Sequence, residues 1–124
     1  MKVVVFGCQQ IAVDFLRYLK DRKDIELPLV SSYELPLDKT YGYQSVEEFC
    51  KTEKINIVTP KRIDNLFIEK IKSIRPNVIF SIYYRRIFPL DILKIPDLGC
   101  INIHPSLLPK YRGPTPTAWA ILNN

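Results

Sequence analysis

The 124-residue sequence predicts an open α/β fold built on a mostly parallel sheet. Two continuous β-branched and aromatic runs, KVVVFG at Lys2–Gly7 and NVIFSIY at Asn77–Tyr83, have the pattern of strands buried on both faces. Segments with apolar residues at helical spacing separate the strands, and such alternation implies a parallel sheet with right-handed crossovers. A chain of this length makes one domain or less and can bury roughly two-thirds of its unfolded surface.

The elements follow in order. After Cys8-Gln9-Gln10, the stretch IAVDFLRYLKDR places Ile11, Phe15, Leu16 and Leu19 at helical spacing. Ile25–Val30 is the next strand, with Pro28 either placing it near an edge or weakening it. Ser31–Gly42 reads as a loop. Gln44–Lys54 is a short helix with Ser45 as N-cap and Glu48 completing a capping box. Ile55–Val58 is a short strand ending at Thr59-Pro60. Asp64–Ser73 is helical, with Leu66 or Phe67 and then Ile71 and Ile74 facing inward, and Pro76 stops it. A short helix surrounds Pro89 within Ile87–Leu93. Gly99–His104 is a strand halted by Pro105, and Leu107–Pro116 is a proline-rich loop. Thr115–Asn124 opens a helix with Pro116 suited to its first turn. The result is a Rossmann-like arrangement without internal repeat, low-complexity tract or linker.

Composition narrows the function classes. With 47% hydrophobic and 25% charged residues, the chain is ordinary globular material and not a disordered tail. Its net charge of +5 suits phosphate-bearing partners such as nucleotides, nucleotide-linked sugars or RNA, and equally suits a solvated surface. The cations are scattered in nothing longer than pairs such as Lys61-Arg62 and Arg85-Arg86, which argues against a dedicated nucleic-acid arm. Three dispersed cysteines and one histidine lack the clustered spacing of a zinc site and point to free thiols in a reducing cytoplasm. No apolar run approaches the ~18 residues of a membrane span. The start runs directly into a core strand, so no cleaved leader is expected.

In open α/β sheets ligands gather beyond the carboxyl ends of the strands, here Gly7–Gln10, Tyr83–Phe88 and Asn102–Arg112. The first turn, Gly7-Cys8-Gln9-Gln10, lacks the glycines of a dinucleotide fingerprint. Gln9 and Gln10 either face a substrate or simply begin the helix. Asn102 and His104 stand two apart at a strand end, where side chains emerge on the same side. An imidazole moves protons near neutral pH, and a carboxamide donates to a developing oxyanion, a pairing suited to acyl transfer to an amine. A strand-end histidine with a local backbone hydrogen bond is the competing reading. Arg112, in the loop after Pro105, either clamps a phosphate or carboxylate with its fork or ties the loop to backbone carbonyls. The run Tyr83-Tyr84-Arg85-Arg86 can stack on a flat heterocycle, or pack its aromatics in the core beneath solvated arginines.

The stretch Gly99–Gly113, GCINIHPSLLPKYRG, resembles the signature of the 10-formyltetrahydrofolate-dependent formyltransferases. That family includes enzymes acting on methionyl-tRNA, glycinamide ribonucleotide and amino sugars. A second segment, RPNVIFSIYYRRI at Arg75–Ile87, resembles the members that modify UDP-4-amino-4-deoxy-arabinose and related nucleotide-linked amino sugars. The resemblance spans the chain, weakest over residues 25–61, and implies the amino-terminal part of a formyltransferase catalytic domain across residues 1–124, its fold truncated at Asn124. It implies His104 as general acid/base and Asn102 as stabiliser of the tetrahedral intermediate. It places Arg86, Ile87 and Phe88 at the pterin end of the folate, mainly through backbone groups, and Ser106 and Arg112 on the substrate loop. The donor would be 10-formyltetrahydrofolate and the acceptor a nucleotide-linked amino sugar; no metal is expected.

Two departures qualify this. Pro114 stands where the arabinosamine enzyme has a folate-contacting arginine, and the family's catalytic aspartate would lie beyond Asn124. The 124 residues alone are therefore expected to have little or no activity, with nothing orienting the imidazole. Rival expectations are a methionyl-tRNA formyltransferase and a non-catalytic remnant that binds folate or a partner chain. An exposed sheet edge would also invite a homodimer.

Overall fold

The computed structural model describes residues 1–113 and 115–123. Among them five strands form one wholly parallel sheet: β1 (Lys2–Gly7), β2 (Glu26–Ser31), β3 (Ile57–Val58), β4 (Val78–Ile82) and β5 (Cys100–Ile103). Their spatial order is β3-β2-β1-β4-β5. The helices are α1 (Gln9–Lys20), α2 (Pro36–Thr40), α3 (Val46–Thr52), α4 (Asn65–Ile74), α5 (Leu90–Leu93) and α6 (Pro116–Leu122).

The chain builds outward from β1 to β3, then returns to lay β4 on the other side of β1. Right-handed crossovers therefore require helices on opposite faces for the two halves. The core follows that rule. Val3 and Val5 pack with Ala12, Val13, Leu16 and Leu19 of α1 and with Val46, Phe49 and Cys50 of α3. Val4 and Phe6 point the other way, to Phe67, Ile68 and Ile71 of α4 and Ile92 of α5. Each fully buried aliphatic side chain contributes roughly 1.5–3 kcal/mol. Reversal of the strand order between β1 and β4 creates a crevice at their carboxyl ends, where ligands of such sheets bind.

Gly7 at the end of β1 is dictated by packing. A Cβ there would lie 2.6 Å from Ala12 Cβ, so only glycine lets α1 turn so closely onto its strand.

Several expectations are corrected. β2 as a whole is internal, but β3 pairs only with its Val30 and Ser31, so Pro28 stands outside that ladder. The pairing runs Lys2↔Glu26 and then Val4↔Leu29, and the extra residue in β2 is the irregularity that accommodates the proline. Within the expected loop Ser31–Gly42 lies α2, opened by Pro36 in its first turn, where the missing N–H costs nothing. Ile11 is 36% exposed, while the buried face of α1 runs through Ala12 and Val13 to Leu16 and Leu19. On α4 the expected inward stripe is present, with Phe67, Ile71 and the partly buried Ile74 joined by Ile68, while the alternative Leu66 is 82% exposed. Ser45 caps α3, accepting from Glu48 N at 3.2 Å. Among the described residues the Glu48 carboxylate does not close the box; Glu34 instead accepts from Ser45 Oγ at 2.7 Å and from the Val46 amide.

Candidate active site

Backbone hydrogen bonds align the strand ends of the crevice. Cys8 N donates to Ile82 O at 3.0 Å, and Tyr83 N donates to Ile103 O at 3.2 Å. The turn after β1, the end of β4 and the end of β5 thus lie side by side.

The segment after β4 is firmly held. Tyr83 adopts φ 50°, a left-handed turn that brings Tyr84 back onto the sheet. The Tyr84 ring meets Phe6 edge-on at 5.2 Å, and Phe88 meets Phe6 at 4.6 Å. Burial pushes the Tyr84 phenol above its ordinary range. Arg85 forks onto Asp38, with Nη1 2.7 Å from Oδ2 and Nη2 2.6 Å from Oδ1. Burial by itself would raise the Asp38 carboxyl, but the guanidinium and the Leu35 N–H at 2.8 Å outweigh it and hold that carboxyl below the usual range. Arg86 lies over the Tyr33 ring, 3.9 Å from its centroid. The arginines are therefore neither free in solvent nor available as a pair for a ligand. Arg85 braces the loop after β2, and Tyr84 belongs to the core.

Cys8, beside this web, donates from Sγ to Tyr33 O at 3.1 Å. Burial raises its pKa above the ordinary thiol value, which suits a structural thiol and not a nucleophile. Gln10 donates to Asp14 at 3.0 Å and accepts from Gln44 N at 3.1 Å, so it serves the helix start and the neighbouring loop.

At the end of β5 the polar groups are open. Asn102 pairs in register with Ser81, and its strand neighbours alternate, Cys100 packing toward α4 and α5 and Ile103 toward α1 and α3. Alternation puts Asn102 on the Cys100 face, and the residue is exposed. His104 is the first residue past the strand and is half-buried. Its Nδ1 lies 2.9 Å from Ser106 Oγ, a contact invisible in the sequence pattern. Ser106 Oγ in turn lies 2.9 Å from Lys110 O and 3.3 Å from Tyr111 O. Something does orient the imidazole, contrary to the expectation from sequence: a hydroxyl two residues on. No hydrogen bond joins Asn102 to His104 among the described residues, and Arg112 is exposed without the backbone ties considered for it. Pro114, the departure from the arabinosamine pattern, lies outside the described residues.

Arg86, Ile87 and Phe88 follow β4 and lie on the side of β1 and β2. Ile87 is 95% exposed, and the Phe88 ring is committed to Phe6. Among the described residues the backbone groups of 86–88 make no hydrogen bond, and the buried Arg86 Nε has no partner. Unpaired backbone donors and acceptors beside a crevice are what a flat, hydrogen-bonding heterocycle requires.

Known proteins resemble the chain in sequence and in fold. Methionyl-tRNA formyltransferase of Clostridioides difficile is 42% identical over 126 residues, covering 99% of this chain and 41% of that protein. The bifunctional polymyxin resistance protein ArnA of Wigglesworthia glossinidia brevipalpis is 39% identical over 124 residues, covering 99% of this chain and 19% of its own length. The chain thus spans less than half of either relative. The crystal structure of phosphoribosylglycinamide formyltransferase from Bacillus halodurans superposes with a TM-score of 0.74 at 18% identity, over 100% of this chain and 66% of that one, and so shares its fold. The family model described as formyl transferase matches residues 1–124, and the chain belongs to that family.

Proposed function

We propose that the chain supplies the imidazole and carboxamide of a site that moves a formyl group from 10-formyltetrahydrofolate to an amine. The observation that carries this reading is an open Asn102 followed by a half-buried His104 at the end of β5, in a chain of the formyl transferase family. That family draws its formyl group from 10-formyltetrahydrofolate. In this chain the unpaired backbone of Arg86, Ile87 and Phe88 would hold the pterin end, which fits their lack of other partners.

The chemistry assigned to the protein is small. The folate, when bound, supplies the formyl carbon. As the acceptor nitrogen bonds to that carbon, the carbonyl oxygen gains negative charge, and the Asn102 amide donates to it. His104 takes the proton that the nitrogen sheds and returns it to the departing folate nitrogen as the carbon–nitrogen bond breaks.

The acceptor we assign is a nucleotide-linked amino sugar. The resemblance of Arg75–Ile87 to enzymes of that class supports it, and the exposed Arg112 offers a fork for a phosphate. A second reading, methionyl-tRNA, is favoured by the 42% identity to a protein of that name. We place the reaction in the cytoplasm, a setting that the free thiols Cys8, Cys50 and Cys100 suit. Among the described residues no helix is long and apolar enough to cross a membrane. The outer edge of β5 could pair with a second copy, and light scattering that shows a clean monomer would remove that idea.

The test is formylation by the complete gene product, with 10-formyltetrahydrofolate and each acceptor in turn. A UDP-linked amino sugar should be used in preference to methionyl-tRNA, and the reverse preference would overturn the acceptor assignment. Unchanged turnover in the doubly substituted Asn102→Ala, His104→Ala protein would overturn the whole reading.

A further inference from the structure

We propose that Ser106 is a positioning residue that fixes the tautomer of His104, keeping a proton on Nδ1 and leaving Nε2 as the base. This rests on the assignment of His104 as the proton carrier.

The argument is one of counting protons. A serine hydroxyl has one proton to give and two lone pairs. Ser106 Oγ has three polar neighbours: Lys110 O at 2.9 Å, Tyr111 O at 3.3 Å and His104 Nδ1 at 2.9 Å. Both carbonyls can only accept. Were the hydroxyl proton aimed at Nδ1, the serine oxygen would face two carbonyl oxygens with nothing between them. Given to Lys110 O, with Tyr111 O sharing it, the proton relieves both contacts. Oγ is then an acceptor toward the ring, and Nδ1 must be the donor. The resulting chain runs from Nδ1–H to Oγ–H to the backbone carbonyls.

The loop is built to deliver those carbonyls. Lys110 N donates to Leu107 O at 3.0 Å and Leu108 N to Ser106 O at 3.1 Å, while Tyr111 turns at φ 52°. The local fold thus returns the chain to the hydroxyl and fixes its direction. Nδ1–H is present in both the neutral ring and the cation, so the contact survives while Nε2 gains and loses a proton. The ring need not flip during the reaction.

His104 is the chain's single histidine, so every imidazole nitrogen signal belongs to it. Long-range proton–nitrogen correlation on the ¹⁵N-labelled chain, at a pH where the ring is neutral, reads the tautomer directly. The expected result is a protonated Nδ1 and a bare Nε2, the opposite of what an unconstrained histidine prefers in water. Ser106→Ala should shift the proton toward Nε2, and Ser106→Thr should restore it to Nδ1. In the complete gene product Ser106→Ala should lower kcat on the order of tenfold with little change in KM, a fraction of what proton transfer supplies. A wild-type spectrum showing Nε2–H overturns the proposal, whatever the variants do. So does a well-folded Ser106→Ala chain with an unchanged tautomer. If the tautomer is as expected but His104→Ala retains full turnover, the catalytic reading fails and the serine contact stands.

Discussion

The ends of β4 and β5 are adjacent, yet they are made in opposite ways. After β4, every long side chain from Tyr84 to Phe88 except Ile87 is held, by the Phe6 aromatic cluster, by the Asp38 carboxylate or by the Tyr33 ring. At the end of β5, Asn102 is exposed, His104 is half-buried, and a single serine hydroxyl contacts the ring. The first end is a scaffold whose backbone stays open, and the second presents side chains. A fixed backbone beside available side chains is what a site needs to hold one reactant rigidly and exchange protons with another.

The contrast predicts that substitutions after β5 change chemistry and those after β4 change stability. His104→Ala is expected to cost about 10²–10⁴-fold in turnover with little shift in the unfolding midpoint. Steady-state formylation and thermal unfolding of the same preparation check both halves. Asn102→Ala should follow at about 10²–10³-fold. A large loss of stability in either variant would break the comparison.

Across the crevice, Asp38→Ala strands the Arg85 guanidinium in a partly buried position. The ion pair is 24% and 9% exposed, so the loss should be about 2 kcal/mol, less than for a fully enclosed pair. Urea unfolding measures it. The lowered pKa of Asp38 also sets a pH signature. Its contribution is present above the unfolded carboxyl value of about 3.9 and is lost as pH falls through the lower folded value. Stability against pH below about 4 should therefore fall less steeply in Asp38→Asn than in the natural protein. An identical slope would show that the fork is not formed in solution.

Two further substitutions serve as controls that touch neither Asn102 nor His104. Gly7→Ala forces a Cβ to 2.6 Å from Ala12 Cβ and should cost about 1–3 kcal/mol through displaced packing. Ser45→Ala removes the α3 cap and should cost about 1 kcal/mol in the same unfolding assay.

Legibility in the sequence follows the same division. The strands at Lys2–Gly7 and Asn77–Tyr83 were readable because burial on both faces demands an unbroken apolar run. Asn102 and His104 were readable because period-two geometry and a proline stop are local. The Arg85–Asp38 fork was not: its members are separated by 47 positions, and Asp38 sits in a stretch that reads as loop. Nor could the extent of β3 be read, since only the register shows that it pairs with Val30 and Ser31 and leaves Pro28 outside that ladder. Leu66 and Phe67 stand about 100° apart on the helix, and the sheet buries the Phe67–Ile71 stripe.

Local pattern alone therefore gave the alternation of strands and helices and the strand ends that carry polar groups, and it offered Asn102 and His104 as candidates for acyl transfer. Each depends on neighbours a few positions apart. The tertiary structure decided which arginine braces and which backbone stays open, and brought one ring nitrogen and two carbonyls to a single serine hydroxyl. Those outcomes depend on where distant or looped-back segments meet, and direction in a hydrogen-bond chain exists only once all its members are in place.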